Sequence, residues 1–108
     1  MTYRIYLTKD ALQDLEELDD YLAASDSDSK ADYVLGKIEA ALQRLADSPE
    51  RGSRPRELLE LGIGEYRQVF FKPYRIIYTV RGKDIYVMLI ADGRRDLESL
   101  LQRRLLNT

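Results

Sequence analysis

The stretch YRQVFFKPYRIIYTVRGKDIYVMLIAD, residues 66–92, decides the fold. Tyr66–Phe71 and Tyr74–Val80 are rich in aromatic and β-branched residues, which fit a pleated surface, and Lys72-Pro73 separates them. Arg81-Gly82-Lys83-Asp84 reads as a turn. Ile85–Ala91 is the most apolar run of the chain. A strand without polar alternation needs cover on both faces, so this one belongs inside a sheet. Asp92-Gly93 ends it. Far upstream, Tyr3, Ile5 and Leu7 alternate with Arg4 and Tyr6, which predicts a short strand over 3–7.

Helices fill the space between. Thr8 is placed to cap one, with Asp10 in its first turn. Leu12, Leu15, Leu18 and Leu22 form an apolar stripe, while Asp14, Glu16, Glu17 and Asp20 lie off it, which predicts an amphipathic helix of about 16 residues. Ser25-Asp26-Ser27-Asp28-Ser29 breaks this helix and supplies the next cap. Val34, Ile38, Ala41, Leu42 and Leu45 share one face of a second helix, which Ser48-Pro49 stops. So short a connection makes the pair an antiparallel hairpin. Glu50–Pro55 is an Arg-rich loop, and Leu58, Leu59 and Leu61 suggest a single helical turn. Gly62-Ile63-Gly64 is a chain reversal rather than a phosphate loop, since no strand precedes it and no helix follows. Leu97, Leu100, Leu101 and Leu105 mark a short C-terminal helix carrying Arg103 and Arg104 outward. Its leucine stripe either docks on the sheet or awaits a partner. The order β-α-α-β-β-β-α is an α+β fold: an antiparallel helical hairpin packed on a mainly antiparallel four-stranded sheet.

At 108 residues the chain suits one domain spanning 1–108. It holds no cysteine, histidine or tryptophan. That excludes a thiol nucleophile, an imidazole base and a Cys/His zinc site, and no cofactor is called for. A thiol-free chain whose opening residues do not read as a leader, and which has no membrane-length apolar run, fits the cytoplasm. The net charge of −2 averages two unlike halves. Residues 1–50 hold 5 basic and 12 acidic side chains, a balance of −7, and residues 51–108 hold 12 and 7, a balance of +5. Ten of those twelve basic residues are arginine, the residue suited to bidentate phosphate or carboxylate recognition.

The candidate site residues are Arg67, Arg75, Arg94 and Arg95. Arg67 shares a strand face with Val69 and Phe71, and Arg75 with Ile77 and Thr79. If both arginines face the same way they form a cationic patch that Arg94 or Arg95 joins, able to cradle phosphate or RNA or to clamp an acidic peptide. Alternatively they pair with Asp92, Asp96, Glu65 and the acidic helices. Tyr66, Tyr74, Tyr78 and Tyr86 suit half-buried core positions better than base stacking. Asp14, Glu16, Glu17, Asp19 and Asp20 read as a solvated face, neither a metal site nor an acid/base pair.

The element order, with Ser48-Pro49…Gly52, Tyr66-Arg67, Tyr74-Arg75-Ile76-Ile77-Tyr78 and Ile90-Ala91-Asp92-Gly93-Arg94-Arg95-Asp96, resembles the ParE/RelE toxin superfamily of bacterial type II toxin–antitoxin pairs over essentially the whole chain. RelE-like members cut messenger RNA on the ribosome, and Arg67, Arg75 and Arg95 match positions where those toxins carry basic residues at the cut phosphate. Two positions depart: Val69 stands where a further basic residue is expected, and Leu101 where an acid/base tyrosine is. Cleavage by 2′-hydroxyl attack needs groups that take and return protons, and arginine holds its own too tightly to be a base. The resemblance therefore implies the ParE-like branch: a non-enzymatic toxin with no catalytic or metal residues that inhibits DNA gyrase by binding it. It further implies a cognate ParD-like antitoxin, of ribbon-helix-helix or similar kind, that alone carries the operator DNA contacts, with its footprint on this chain unassigned and no membrane partner. A RelE-like endoribonuclease and a non-toxic antitoxin-binding module are the alternatives.

Overall fold

A computed structural model of the chain describes residues 2–106. Its elements run β1 (Arg4–Leu7), α1 (Lys9–Ser25), α2 (Asp28–Asp47), α3 (Arg56–Leu59), β2 (Tyr66–Phe71), β3 (Tyr74–Arg81), β4 (Asp84–Asp92) and α4 (Leu97–Leu106). The expected order holds, with the Leu58–Leu61 region realised as the one-turn helix α3.

Both hairpin helices begin as their sequences direct. The Thr8 hydroxyl accepts the Ala11 N–H at 3.2 Å, and the Ser27 hydroxyl accepts the Lys30 N–H at 3.0 Å. Each such cap contributes about 1 kcal/mol by giving an orphan donor a partner. Val34, Ile38, Ala41, Leu42 and Leu45 are all buried. In α1 the buried stripe differs by one position from the expected one. Ala11 is fully buried and Leu12 is 49% exposed, so the inward row is Ala11, Leu15, Leu18 and Leu22. A methyl group suits the tight approach where α1 leaves β1, and an isobutyl group there would not fit.

The sheet order is β1-β4-β3-β2, with β1 parallel to β4 and the other pairs antiparallel. The apolar run of β4 is interior, as its composition demands. It carries a bulge: Ile77 pairs with Leu89, but Tyr78 pairs with Val87, leaving Met88 between them. The extra residue flips the strand's parity. Ile85, Val87 and Ile90 pack under the helical hairpin, whereas Leu89 and Ala91 face the opposite side. That second face is also covered. Leu58 of α3 and Leu97 and Leu101 of α4 bury Tyr66, Ile77, Leu89 and Ala91, so the hairpin, the sheet and the α3/α4 pair form three layers. The open question about α4 is thereby answered: it docks on its own sheet.

One charged group ties α4 to α1. Arg104, expected outward, turns inward with its side chain 13% exposed. Its guanidinium donates to both Asp14 carboxylate oxygens, at 2.9 and 3.1 Å, and to the Met88 carbonyl at 2.8 Å. Asp14 also accepts the Ile90 N–H at 3.0 Å. β1 pairs only with residues 84–87, so beyond its end these backbone groups lie at an open edge, and the ion pair satisfies them. Asp14 therefore does not belong to a solvated face; a buried backbone donor holds it.

Candidate functional site

The four candidate arginines do not converge. β2 and β3 pair Arg67 with Tyr78 and Phe70 with Arg75, which puts the two guanidinium groups on opposite faces of the sheet. The condition for a shared patch is not met. Arg67 lies on the hairpin face, where its Nη1 donates to the carbonyls of Gly52 at 2.8 Å and Glu50 at 3.3 Å. The same loop is strapped by Tyr78, which is fully buried. Its hydroxyl donates to the Pro49 carbonyl at 2.7 Å and accepts the Gly52 N–H at 3.1 Å. Burial pushes the Tyr78 phenol above its ordinary range, so it stays protonated and structural. A Cβ on Gly52 would lie 2.6 Å from both the Gln68 carbonyl and the Tyr78 hydroxyl, which explains glycine in the Ser48-Pro49…Gly52 motif.

Arg75 lies on the α3/α4 face and is closed off. Glu57 of α3 accepts from it at 2.7 and 3.0 Å in a two-pronged pair, and the Gln68 amide oxygen accepts its Nε–H at 2.8 Å. The exposed Phe70 ring lies 6.0 Å from the guanidinium carbon, completing the enclosure. The Arg75 side chain is only 12% exposed. Hydrogen bonding from Arg75 holds the Glu57 carboxyl below the usual carboxylate range, against the opposing effect of burial. A guanidinium with its fork filled by a carboxylate has little left for an incoming phosphate.

Arg94 and Arg95 are the exposed pair. They sit in the turn after β4, where the Gly93 N–H donates to the Pro73 carbonyl at 2.7 Å. A Cβ on Gly93 would meet the Arg75 Cδ at 3.0 Å and the Pro73 oxygen at 3.1 Å, so the turn needs glycine for its close approach. Arg94 folds back on Asp92, whose Oδ1 accepts its backbone N–H and its Nε–H, both at 2.9 Å. That contact lowers the Asp92 carboxyl. The Arg95 guanidinium forms no ion pair among the described residues. Both arginines border a groove between α1 and the end of β4, lined further by Leu18, Tyr21, Tyr74 and Ile90.

Leu101 is 2% exposed in the core of the second face. Tyr66, Tyr74 and Tyr78 are buried and Tyr86 is half-buried, the core positions expected of them. The most exposed aromatics are instead Tyr21 and Tyr33, at 67% and 55% exposure. Sequence reasoning passed over both, although each interrupts the polar face of an amphipathic helix, and that was the available signal.

The description "ParE toxin of type II toxin-antitoxin system, parDE" matches residues 5–97. Toxin ParE3 of Caulobacter vibrioides is 28% identical over 101 residues, covering 94% of this chain and 97% of that protein. Among solved structures, the chromosomal ParDE system of P. aeruginosa shares the fold at a TM-score of 0.71 and 21% identity, over 84% of this chain and 96% of the other. A mutant E. coli RelE in the free state shares it at 0.62 and 14% identity, over 95% and 98%. The RelBE2 toxin–antitoxin complex of Mycobacterium tuberculosis shares it at 0.59 and 19% identity, over 85% and 99%. With the family match covering most of its length, the chain belongs to the ParE toxins of type II toxin–antitoxin systems.

Proposed function

We propose that the chain is a non-enzymatic toxin that inhibits DNA gyrase by protein contact and is neutralised by a cognate ParD-like antitoxin. The observation that carries the non-nuclease reading is the Arg75–Glu57–Gln68 closure, together with Leu101 buried where a nuclease of this fold would present an acid/base tyrosine. Phosphodiester cleavage needs free cationic charge on the phosphorane and a proton donor and acceptor within reach. Here the Arg75 guanidinium is spent on Glu57 and Gln68, and the chain has no imidazole to move the proton. Of the four arginines, Arg94 and Arg95 are the ones available to a target; Arg75 lies against the Gly93 turn that carries them, and Arg67 holds the Glu50–Gly52 loop on the other face. Operator DNA is contacted through the antitoxin, and the complex works in the bacterial cytoplasm.

The deciding experiment adds purified chain to gyrase and relaxed plasmid. Supercoiling falls, or cleaved DNA accumulates, in proportion to the toxin. Unchanged supercoiling at saturating protein sinks this reading. Codon-positioned cuts in messenger RNA in a translating extract would establish the RelE-like alternative in its place.

A further inference from the structure

Three of the five basic side chains in the acidic half of the chain stand on one flank of α2. Lys30, Lys37 and Arg44 recur every seven residues, so each lies about 10.5 Å along the helix from the last and only about 20° around it. All three are exposed, and none forms an ion pair among the described residues. Asp28, Asp32 and Glu39 fall on the opposite flank, where Glu39 borders β1. Of the four α2 carboxylates only Asp47, in the last turn, lies nearer the row. The row runs along β2. Tyr33 meets Phe71 edge-on with ring centroids 6.3 Å apart, and the Lys30 and Lys37 ammonium groups lie 6.0 and 5.6 Å from the Tyr33 ring. That ring steadies two of the cations. At the other end Arg44 borders a groove of about 430 Å³ together with Arg51, which is also exposed and forms no ion pair among the described residues.

A straight row of unpaired cations about 21 Å long fits a stiff polyanion of regular charge. We propose that this flank of α2, continued by Arg51, binds the phosphate backbone of duplex DNA without regard to base sequence. Such contact needs charge alone, because each neutralised phosphate contributes by releasing counterions. A duplex carries about one charge per 1.7 Å of its axis, already ordered, so about twelve phosphates lie alongside the row. An acidic peptide would have to order its own chain there, with Ala41, Val69 and Phe70 as the apolar lining at one end to offset that cost. A single strand needs free aromatic platforms for its bases, and Tyr33 is already engaged by two lysines and Phe71. A second copy that offered its acidic flank would leave its own row open and chain on without closure. The carboxylates on the far flank of α2 repel the backbone and so orient its approach. This contact is separate from operator recognition and holds whether or not gyrase is the target.

Fluorescence anisotropy of a labelled duplex of about 20 base pairs, titrated with the purified full chain, reads the contact without gyrase or antitoxin. Two unrelated sequences should bind alike. With Lys30, Lys37, Arg44 and Arg51 each meeting one phosphate, the log of the association constant should fall against log salt with a slope of about −3.6. That is a loss of about fiftyfold between about 50 and 150 mM salt. Lys30→Gln, Lys37→Gln and Arg44→Gln together should bring the slope to about −0.9 and lower affinity at the lower salt by about a hundredfold or more. Should that variant not fold, Lys37→Gln alone should reduce the slope by about 0.9. Lys9→Gln with Arg103→Gln, exposed positions on α1 and α4, should leave the slope unchanged. No anisotropy change with about 100 μM chain at the lower salt overturns the inference. So does an equal loss with the Lys9 and Arg103 variant, or a tighter complex with single-stranded oligothymidylate. Equal competition by polyglutamate also overturns it and places an acidic protein on the row. Salt-sensitive self-association in sedimentation that Lys37→Glu abolishes would overturn the choice of occupant in favour of a second copy.

Discussion

Arg104→Met keeps an unbranched side chain against the sheet and removes the guanidinium, and with it the Asp14 pair and a longer 3.7 Å contact to Asp10. In the native protein three hydrogen bonds leave that guanidinium, two to Asp14 and one to the Met88 carbonyl. Without it, the Asp14 carboxylate retains the Ile90 N–H, and the Met88 carbonyl at the bulge loses a partner. Removing one member of a buried ion pair costs about 3–5 kcal/mol. Both side chains here keep some contact with solvent, at 13% and 14% exposure, so water recovers part of the loss and the expected cost is about 2–3 kcal/mol. For a domain of this size that corresponds to a fall in Tm of roughly 10–20 °C. Asp14→Asn should cost less, because its amide oxygen can still accept the Ile90 N–H. The double variant should be less destabilised than the two single losses added together, by about 1–2 kcal/mol. Urea unfolding with m-values recorded for all four proteins reads these quantities. A single variant within about 0.5 kcal/mol of the parent, or strict additivity in the cycle, would falsify the assignment of Asp14 and Arg104 as one unit.

Three other outcomes follow from the geometry. Glu57 has its carboxyl lowered from an ordinary value of 4.5 by Arg75. Its contribution is complete above that pH and is lost as pH falls through the lowered folded value, so Glu57→Gln should flatten the acid limb of a stability–pH curve. Tyr78→Phe removes a buried hydroxyl serving Pro49 and Gly52 and should cost about 1–3 kcal/mol in urea unfolding. Gly52→Ala should be destabilising too, and Tyr78→Phe should not rescue it, because the Gln68 carbonyl still stands 2.6 Å from the new Cβ. Arg94→Ala and Arg95→Ala should change stability by no more than about 0.5 kcal/mol, since the arginines are exposed. In the gyrase assay the same variants should raise the half-inhibitory concentration by about tenfold; unchanged inhibition would remove both from the target surface.

The helical hairpin was legible because its caps and stripes are local: Thr8 and Ser27 announce the starts, and the row from Val34 to Leu45 has one period. The central place of β4 was legible from its unbroken apolar run. The four arginines were less so, because their directions depend on pairing rather than composition. A two-residue Lys72-Pro73 connection that pairs Phe71 with Tyr74 already sends Arg67 and Arg75 to opposite faces, so that much was recoverable from strand ends alone. The Glu57 contact was not, since α3 reaches Arg75 across eighteen positions of chain. Nor was the Asp14–Arg104 pair, ninety positions apart, which meets backbone groups of β4 that lie open beyond the end of β1. Acidic residues off an apolar stripe look alike in sequence; which one meets a buried N–H is settled by a different strand.

Met88 acts as a phase shift in the chain. Before it, odd-numbered residues of β4 look toward the hairpin; after it, even-numbered ones do. A relative with one residue fewer at this point would have a regular strand, with Val87 still opposite Tyr78 and Leu89 still opposite Ile77, so every side chain from there to the Gly93 turn would keep its layer. Positions in that tail correspond between relatives when counted back from the turn, and mislead when counted forward from β3. Loss of that one codon would therefore leave both cores and the exposed arginines in place and remove only the bulge.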